Sequence, residues 1–191
     1  MGEGAHGRPE PSRRSGEQTL RLSFPGEGLR FDDLLLRVPG PADLQALAAA
    51  FADGALDESD DIPFDRAELA ERLPDTPTLV RLVVVDVETR AVLGGGTLHH
   101  LDTKRSVVEI GYWLFPRARG RGVATRIARA LAEHAFTLGI QRVAAYVEVG
   151  NLPSERVLER AGFTREGIIR SLPRSGGHRV DKTIFSLLPG E

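Results

Sequence analysis

Three arginines, Arg117, Arg119 and Arg121, alternate with Ala118, Gly120 and Gly122 directly ahead of a segment patterned as a helix. The first backbone N–H groups of a helix lack intrahelical acceptors, and the aligned peptide dipoles put partial positive charge at the same end. Glycines keep side chains out of the path of an incoming phosphate, and guanidinium groups add charge-assisted donors. Phosphate or pyrophosphate is the ligand that suits such a junction. The same residues also serve as a plain structural turn with solvated arginines, and this stretch alone leaves both readings open. The turn has no Gly-Lys-Ser/Thr of a P-loop, and Thr125 stands where a third glycine would complete a dinucleotide fingerprint.

Glu109 is a carboxylate inside an otherwise apolar run ahead of this turn. Partial burial there is expected to raise its pKa towards neutrality and make it a general base, while a strand-edge or salt-bridged glutamate is the plain alternative. His99 and His100 are consecutive in a predicted strand, so their side chains are expected on opposite faces, with at most one towards any cleft. Each reads as a surface or packed histidine, and the spacing suggests no metal site. His134 and His178 read as exposed helix and turn positions. The glycines of "LGGGT" at 93–97 lie in a strand pattern, where they mark a bulge or close backbone approach.

The elements that hold these residues follow from periodicity and punctuation. After a lead-in at 20–24, "FDDLLLRVPG" is a short strand and turn, and Pro41 and Asp43 open a helix carrying Leu44, Leu47, Ala48 and Phe51 at helical spacing. A polar connection leads to a short helix at 65–73, stopped by Pro74. Strands at 79–87 and 92–101 form a hairpin, and "SVVEIGYWLF" is a third antiparallel strand. The helix after Gly122 puts Val123, Ile127, Leu131, Ala135 and Leu138 on one face and ends at Gly139. "IQRVAAYVEV" returns as a strand parallel to the one before the helix, through a right-handed crossover. A short helix enters through Asn151 and Pro153 and closes at Gly162, and a terminal hairpin turns near 175–177. The fold class is mixed α/β (α+β) with no internal repeat.

With 191 residues the chain fits one domain, expected at 19–191, behind a leader at 1–18 too rich in Gly, Pro, Ser, Glu and Arg to bury a core. The balance of 25 Lys+Arg against 27 Asp+Glu, a net charge of −2, provides no field for nucleic acid or an anionic membrane. The absence of cysteine excludes disulfides, thiolate metal sites and a cysteine nucleophile. No stretch has about 18 uncharged apolar residues in a row. A soluble, cytoplasmic protein is expected.

Arg117-x-x-Gly120-x-Gly122 behind "EIGYWLFP" resembles the coenzyme-binding motif of the GNAT N-acetyltransferase superfamily, Gln/Arg-x-x-Gly-x-Gly/Ala. "EIGYWL", "RGRGVAT", "GNLPSERVLERAGFTREG" and "DKTIFSLLPGE" resemble, in that order, the RimJ/RimL-type branch, and the similarity spans roughly residues 28–190. The resemblance implies a GNAT-like fold: a central, mostly antiparallel sheet with a splayed parallel strand pair around a β-α-β crossover, flanked by helices. It implies acetyl-CoA as cosubstrate, without a metal, and acetyl transfer straight to a primary amine in a ternary complex. The acceptor is a protein or peptide N-terminal α-amine or a small-molecule amine, and a homodimer is left open. Backbone amides of Arg119, Gly120, Arg121, Gly122, Val123 and Ala124 would bind the pyrophosphate, assisted by Arg117 and Arg119. Backbone groups of Trp113, Leu114 and Phe115 would pair with the pantetheine arm, and Asn151 would contact the pantetheine or thioester region.

Such chemistry needs a neutral amine, whereas an alkyl ammonium titrates near about 10 and an α-amino group near about 7.7–8.0. Glu109 is the candidate proton acceptor, directly or through water. Many family members place a tyrosine acid on the helix after the second crossover strand, where this chain has Leu158; Ser154, three residues after Asn151, offers a hydroxyl near the sulfur instead. Asn151 and Ser154 equally suit a helix start. Tyr112 and Asp181 are candidate shapers of the acceptor site, Tyr112 as a cleft wall. "DESDD" at 57–61 is either an exposed loop or an attraction for a cationic acceptor. The competing function is an acyl-CoA-binding or sensing module that has kept the cradle and lost turnover.

Overall fold

A computed structural model describes residues 20–52, 78–173 and 178–191. The leader, the helix expected at 65–73, the "DESDD" stretch and the tip of the terminal turn lie outside the described residues. Eight strands form one sheet: β1 (Leu29–Phe31), β2 (Leu34–Arg37), β3 (Val80–Asp86), β4 (Val92–Asp102), β5 (Val107–Leu114), β6 (Arg142–Glu148), β7 (Thr164–Pro173) and β8 (Arg179–Leu187). Their spatial order is β1-β2-β3-β4-β5-β6-β8-β7, antiparallel at every pairing except β5–β6. Three helices accompany the described strands: α1 (Leu44–Ala52), α2 (Val123–Thr137) and α3 (Leu152–Arg160). None is long and apolar enough to cross a membrane.

The alternation of β5 divides its side chains between two cores. Val108, Ile110 and Leu114 join Ile127, Leu131 and Ala135 of α2, while Trp113 and Phe115 join Leu47 and Ala50 of α1 with Val83 and Val85. The helix face expected from the sequence is therefore the one that packs. The three glycines of β4 are close-approach positions: a Cβ on Gly94 would come within 2.2 Å of the Trp113 carbonyl oxygen, and one on Gly95 within 2.7 Å of Trp113 Nε1. Gly95 lets the indole lie against the strand, and Gly96 makes room for Leu131 and Ile127 of α2 on the other face.

Asp43 does more than mark the start of a helix. It is 4% exposed, its carboxylate accepts from Arg37 Nη1 and Nη2 at 2.7 and 2.9 Å, and it accepts from Gly40 N at 2.7 Å. Burial pushes its pKa up, but the Arg37 and Gly40 hydrogen bonds outweigh that and hold it below the usual carboxylate value.

His134 departs from its expected exposure. It is buried, with Nε2 at 2.7 Å from the carbonyl oxygen of Ser23 and the Phe24 ring edge-on at 4.7 Å. The segment at 20–24 is not a strand; it runs over α2 and covers this histidine, a contact that helix periodicity has no means to signal.

Candidate active site

β5 and β6 pair only through Val107↔Arg142, Val108↔Val143 and Glu109↔Ala144. Beyond that fork β5 stays with β4 up to Leu114, and β6 stays with β8. Two parallel strands held on their outer sides leave an opening between them. Above it lies a cavity of about 650 Å³, within the usual range for small-molecule sites. Tyr112, Trp113 and Leu114 of β5 form one wall. The turn residues Arg119, Gly120 and Gly122 and the first helical residues Val123, Ala124 and Thr125 form the second. Asn151 and α3, through Pro153, Ser154, Arg156, Val157 and Arg160, close the third.

The cationic end of α2 opens onto this cavity. Gly122 is its N-cap with φ 74°, and no side chain caps it. Gly120 has the same φ, and a Cβ on either glycine would meet nothing within 4 Å. Packing does not call for glycine at these two positions; the left-handed backbone does, and the empty space in front leaves the amides open to an anion.

At α3, Asn151 Oδ1 accepts from Ser154 N at 3.3 Å, which is the helix-capping role open to it on physics alone. The Tyr112 hydroxyl donates to the Ser154 carbonyl oxygen at 3.1 Å and ties β5 to α3 across the cavity. Burial pushes the Tyr112 phenol well above its ordinary value, although the Ser154 hydrogen bond opposes this, so it stays a donor.

Ten of the expected residues line the cavity: Tyr112, Trp113, Leu114 and Arg119, then Gly120, Gly122, Val123 and Ala124, then Asn151 and Ser154. Five do not. Phe115 is buried in the α1 core and gives its N–H to the Leu93 carbonyl oxygen at 3.0 Å. Alternation then turns the backbone of Trp113 to β4 as well and that of Leu114 to the open side. Arg117 lies over the Phe115 ring at 4.2 Å and donates to the Val92 carbonyl oxygen at 2.9 Å, so it buttresses the turn from the sheet side. Arg121 is exposed and adds its charge near Asp33. Asp181 accepts from Ser171 N at 2.9 Å, which supports the positive φ of Ser171 in the terminal hairpin. Leu158 is fully buried in the core, and α3 turns other side chains to the cavity.

Glu109 sits at the fork, on the face opposite Tyr112. Its Oε2 is 3.4 Å from His99 Nε2 and 3.1 Å from His100 Nδ1. Burial pushes its pKa up, but the hydrogen bonds from His99 and His100 outweigh that, so the carboxyl lies below its ordinary value and the expected rise towards neutrality does not occur. The two histidines also overturn the opposite-face expectation. His99 pairs with Glu109 and Asp102 with Val107, so β4 carries one extra residue, and His100 takes φ 51°. This bulge cancels the alternation and brings both rings to one carboxylate, with centroids 4.7 Å apart.

Arg156, Arg160 and Thr125 are cavity residues that the sequence reading did not reach. The spacing of Pro153, Arg156, Val157 and Arg160 on one helix face was the available signal.

Residues 33–164 match the acetyltransferase (GNAT) domain family, and the chain belongs to it. It is 33% identical over 112 residues to "Uncharacterized N-acetyltransferase p20" of Bacillus licheniformis, covering 58% of this chain and 63% of the relative. It is 40% identical over 96 residues to "Putative ribosomal N-acetyltransferase YdaF" of Bacillus subtilis, covering 50% of this chain and 52% of that protein. The chain thus spans less than two thirds of the length of these curated relatives. A solved structure described as "Crystal structure of Probable acetyltransferase" superposes with a TM-score of 0.72 at 27% identity, covering 83% of this chain and 94% of that one. The second relative bears a ribosomal acetyltransferase name, the branch that the motifs resemble.

Proposed function

We propose that this protein is an acetyl-CoA-dependent N-acetyltransferase that passes acetyl directly to a primary amine in a ternary complex. The observation that carries the reading is the union of two features in one cavity: parallel strands that part at Glu109 and Ala144, and the uncapped, glycine-lined N-terminus of α2. The first offers unpaired strand backbone to an extended arm, and the second offers amides and Arg119 to a pyrophosphate.

In this reading Gly120, Gly122, Val123 and Ala124 hold the phosphates, Leu114 presents backbone to the pantetheine arm, and Asn151 and Ser154 lie at the thioester end. Leu114 O accepts from Arg119 Nε at 3.2 Å, so Arg119 turns from this carbonyl to the phosphates on binding. Glu109, flanked by two imidazoles, takes up the proton that the amine releases, directly or through water. Its carboxylate remains ionised throughout the neutral range because its pKa is lowered. The acceptor is an N-terminal α-amine of a protein or peptide, or a small amine.

One alternative rests on the residue type at position 158, where Leu158 replaces the tyrosine acid of many family members: an acyl-CoA-sensing module without turnover. Calorimetric titration with acetyl-CoA, followed by thiol release against a panel of amines, separates the two. Turnover of any amine establishes the enzyme, binding without turnover on a broad panel supports the sensor, and no binding overturns both. Glu109→Gln is expected to lower kcat with acetyl-CoA affinity intact; wild-type turnover across pH would remove Glu109 from the proton path.

A further inference from the structure

We infer that His99, His100 and Glu109 form a binding site for a divalent cation of the zinc type, a role beyond the acetyl-transfer reading and independent of the cavity. One ligand atom from each lies within 4.8 Å of the others. The two separations that involve Glu109 Oε2, 3.1 Å to His100 Nδ1 and 3.4 Å to His99 Nε2, bracket the edge of a tetrahedron, about 3.3 Å when bonds to the metal are about 2.0–2.1 Å. The third edge closes by rotation of the His100 ring, which has room because that side chain is 63% exposed.

Three further observations make this a built arrangement. The β4 bulge and the left-handed backbone of His100 act against strand alternation to bring two imidazoles to one carboxylate. Such strain is held in place only where surrounding structure enforces it. His99 has an outer partner: its Nδ1 lies 3.1 Å from Thr97 Oγ1, which is 8% exposed. With Nδ1–H donated to that hydroxyl, the Nε2 lone pair is free to ligate a cation shared with Glu109 Oε2, which then replaces the Nε2–H hydrogen bond that the metal-free carboxylate accepts. Gly111 completes the support, because a Cβ there would come within 2.7 Å of Thr97 Oγ1 and 3.6 Å of His99 Cε1.

Imidazole with carboxylate suits zinc and its first-row neighbours rather than magnesium or calcium. Three protein ligands with one ring facing solvent leave a coordination position for water or an incoming group. If Glu109 is the proton acceptor of acetyl transfer, a bound cation takes that oxygen and Zn²⁺ inhibits turnover.

The test uses the untagged full chain, titrated with Zn²⁺ by calorimetry and with Co²⁺ by visible absorption, so that it does not depend on turnover. One Zn²⁺ per chain and an intense, low-coordinate Co²⁺ spectrum are expected. His99→Gln, His100→Asn, which tolerates the positive φ, and Glu109→Gln should each abolish the signal. Thr97→Val should weaken binding by about 10–100-fold, as loss of an outer partner does. His178→Gln, an exposed histidine elsewhere, should leave it unchanged. Circular dichroism melts confirm that each variant is folded. Absence of stoichiometric Zn²⁺ binding by the wild type, or unchanged binding in a folded variant of any of the three ligands, overturns the assignment.

Discussion

Replacing Gly122 by alanine tests whether the turn ahead of α2 is a ligand cradle or only a turn. Gly122 has φ 74°, and an added Cβ meets nothing within 4 Å, so the packing of the protein itself is unchanged. What remains is the left-handed backbone, which disfavours an L-residue by about 1–2 kcal/mol. At roughly 2–4 °C per kcal/mol for a chain of this size, the melting temperature falls by roughly 2–8 °C. The cradle adds a separate effect, because the methyl group stands where an anion approaches the first amides. Losing one charge-assisted hydrogen bond, about 1.5–3 kcal/mol, raises the acetyl-CoA Kd roughly 10–150-fold. Gly139→Ala is the matched control. It has φ 86° at the opposite end of the same helix, with only an ordinary 3.5 Å contact to Leu20 Cδ2. It should lose the same stability and keep the wild-type Kd. Calorimetric titration and thermal melts of both variants decide the matter: if Gly122→Ala and Gly139→Ala bind acetyl-CoA equally well, the cradle argument fails.

The Arg37–Asp43 pair should act as an acid-sensitive clasp. Because the folded pKa of Asp43 is lowered, its contribution is present above the unfolded value of about 3.9 and disappears as pH falls through the lower folded value. Asp43→Ala is expected to cost about 3 kcal/mol at pH ~7, the low end for breaking a buried pair because Arg37 keeps part of its guanidinium in water. Urea denaturation should show the gap to wild type narrowing below pH ~4, and a constant gap would contradict the assignment. Ser154→Ala separates hydroxyl from backbone: Ser154 N and O make the structural contacts, so acetyl-CoA affinity should hold while kcat falls, and an unchanged kcat would dismiss the hydroxyl. Gly95→Ala should lower stability by about 1–3 kcal/mol or more, since its Cβ would lie 2.4 Å from the Leu82 carbonyl oxygen and 2.7 Å from Trp113 Nε1; a wild-type melt would refute the close approach of β3 and the indole to this position.

The features legible in the chain were those with a local physical cause. The apolar face of α2 follows from helical spacing, the strands at β3, β4 and β5 from β-branched runs between turns, and the cationic turn from glycines and arginines at a helix start. Ten cavity residues were implied by the family resemblance that this turn, the strand before it and the segment at 151–154 carry. The features that were not legible depend on which distant residue arrives opposite. Arg117 and Arg119 read alike in sequence, but Arg117 finds the Phe115 ring and Val92 carbonyl on the sheet side while Arg119 faces the cavity. His134 is covered by Ser23 and Phe24, and Leu158 is in the core because α3 sits on α2 and the sheet.

The cluster at Glu109 makes the division plainest. Strand alternation assigns His99 and His100 to opposite faces, and a half-buried carboxyl alone would be pushed up. One extra residue in β4 reverses both outcomes, since it places two imidazoles on the carboxylate and lowers its pKa. A bulge is a property of the register between two strands, and register is settled by the packing of the whole sheet. The sequence by itself therefore determined the cationic, glycine-lined turn at the start of α2, whose amides and charges belong to one short segment. Only the tertiary structure decided the state and company of Glu109, because that depends on a strand partner's misfit.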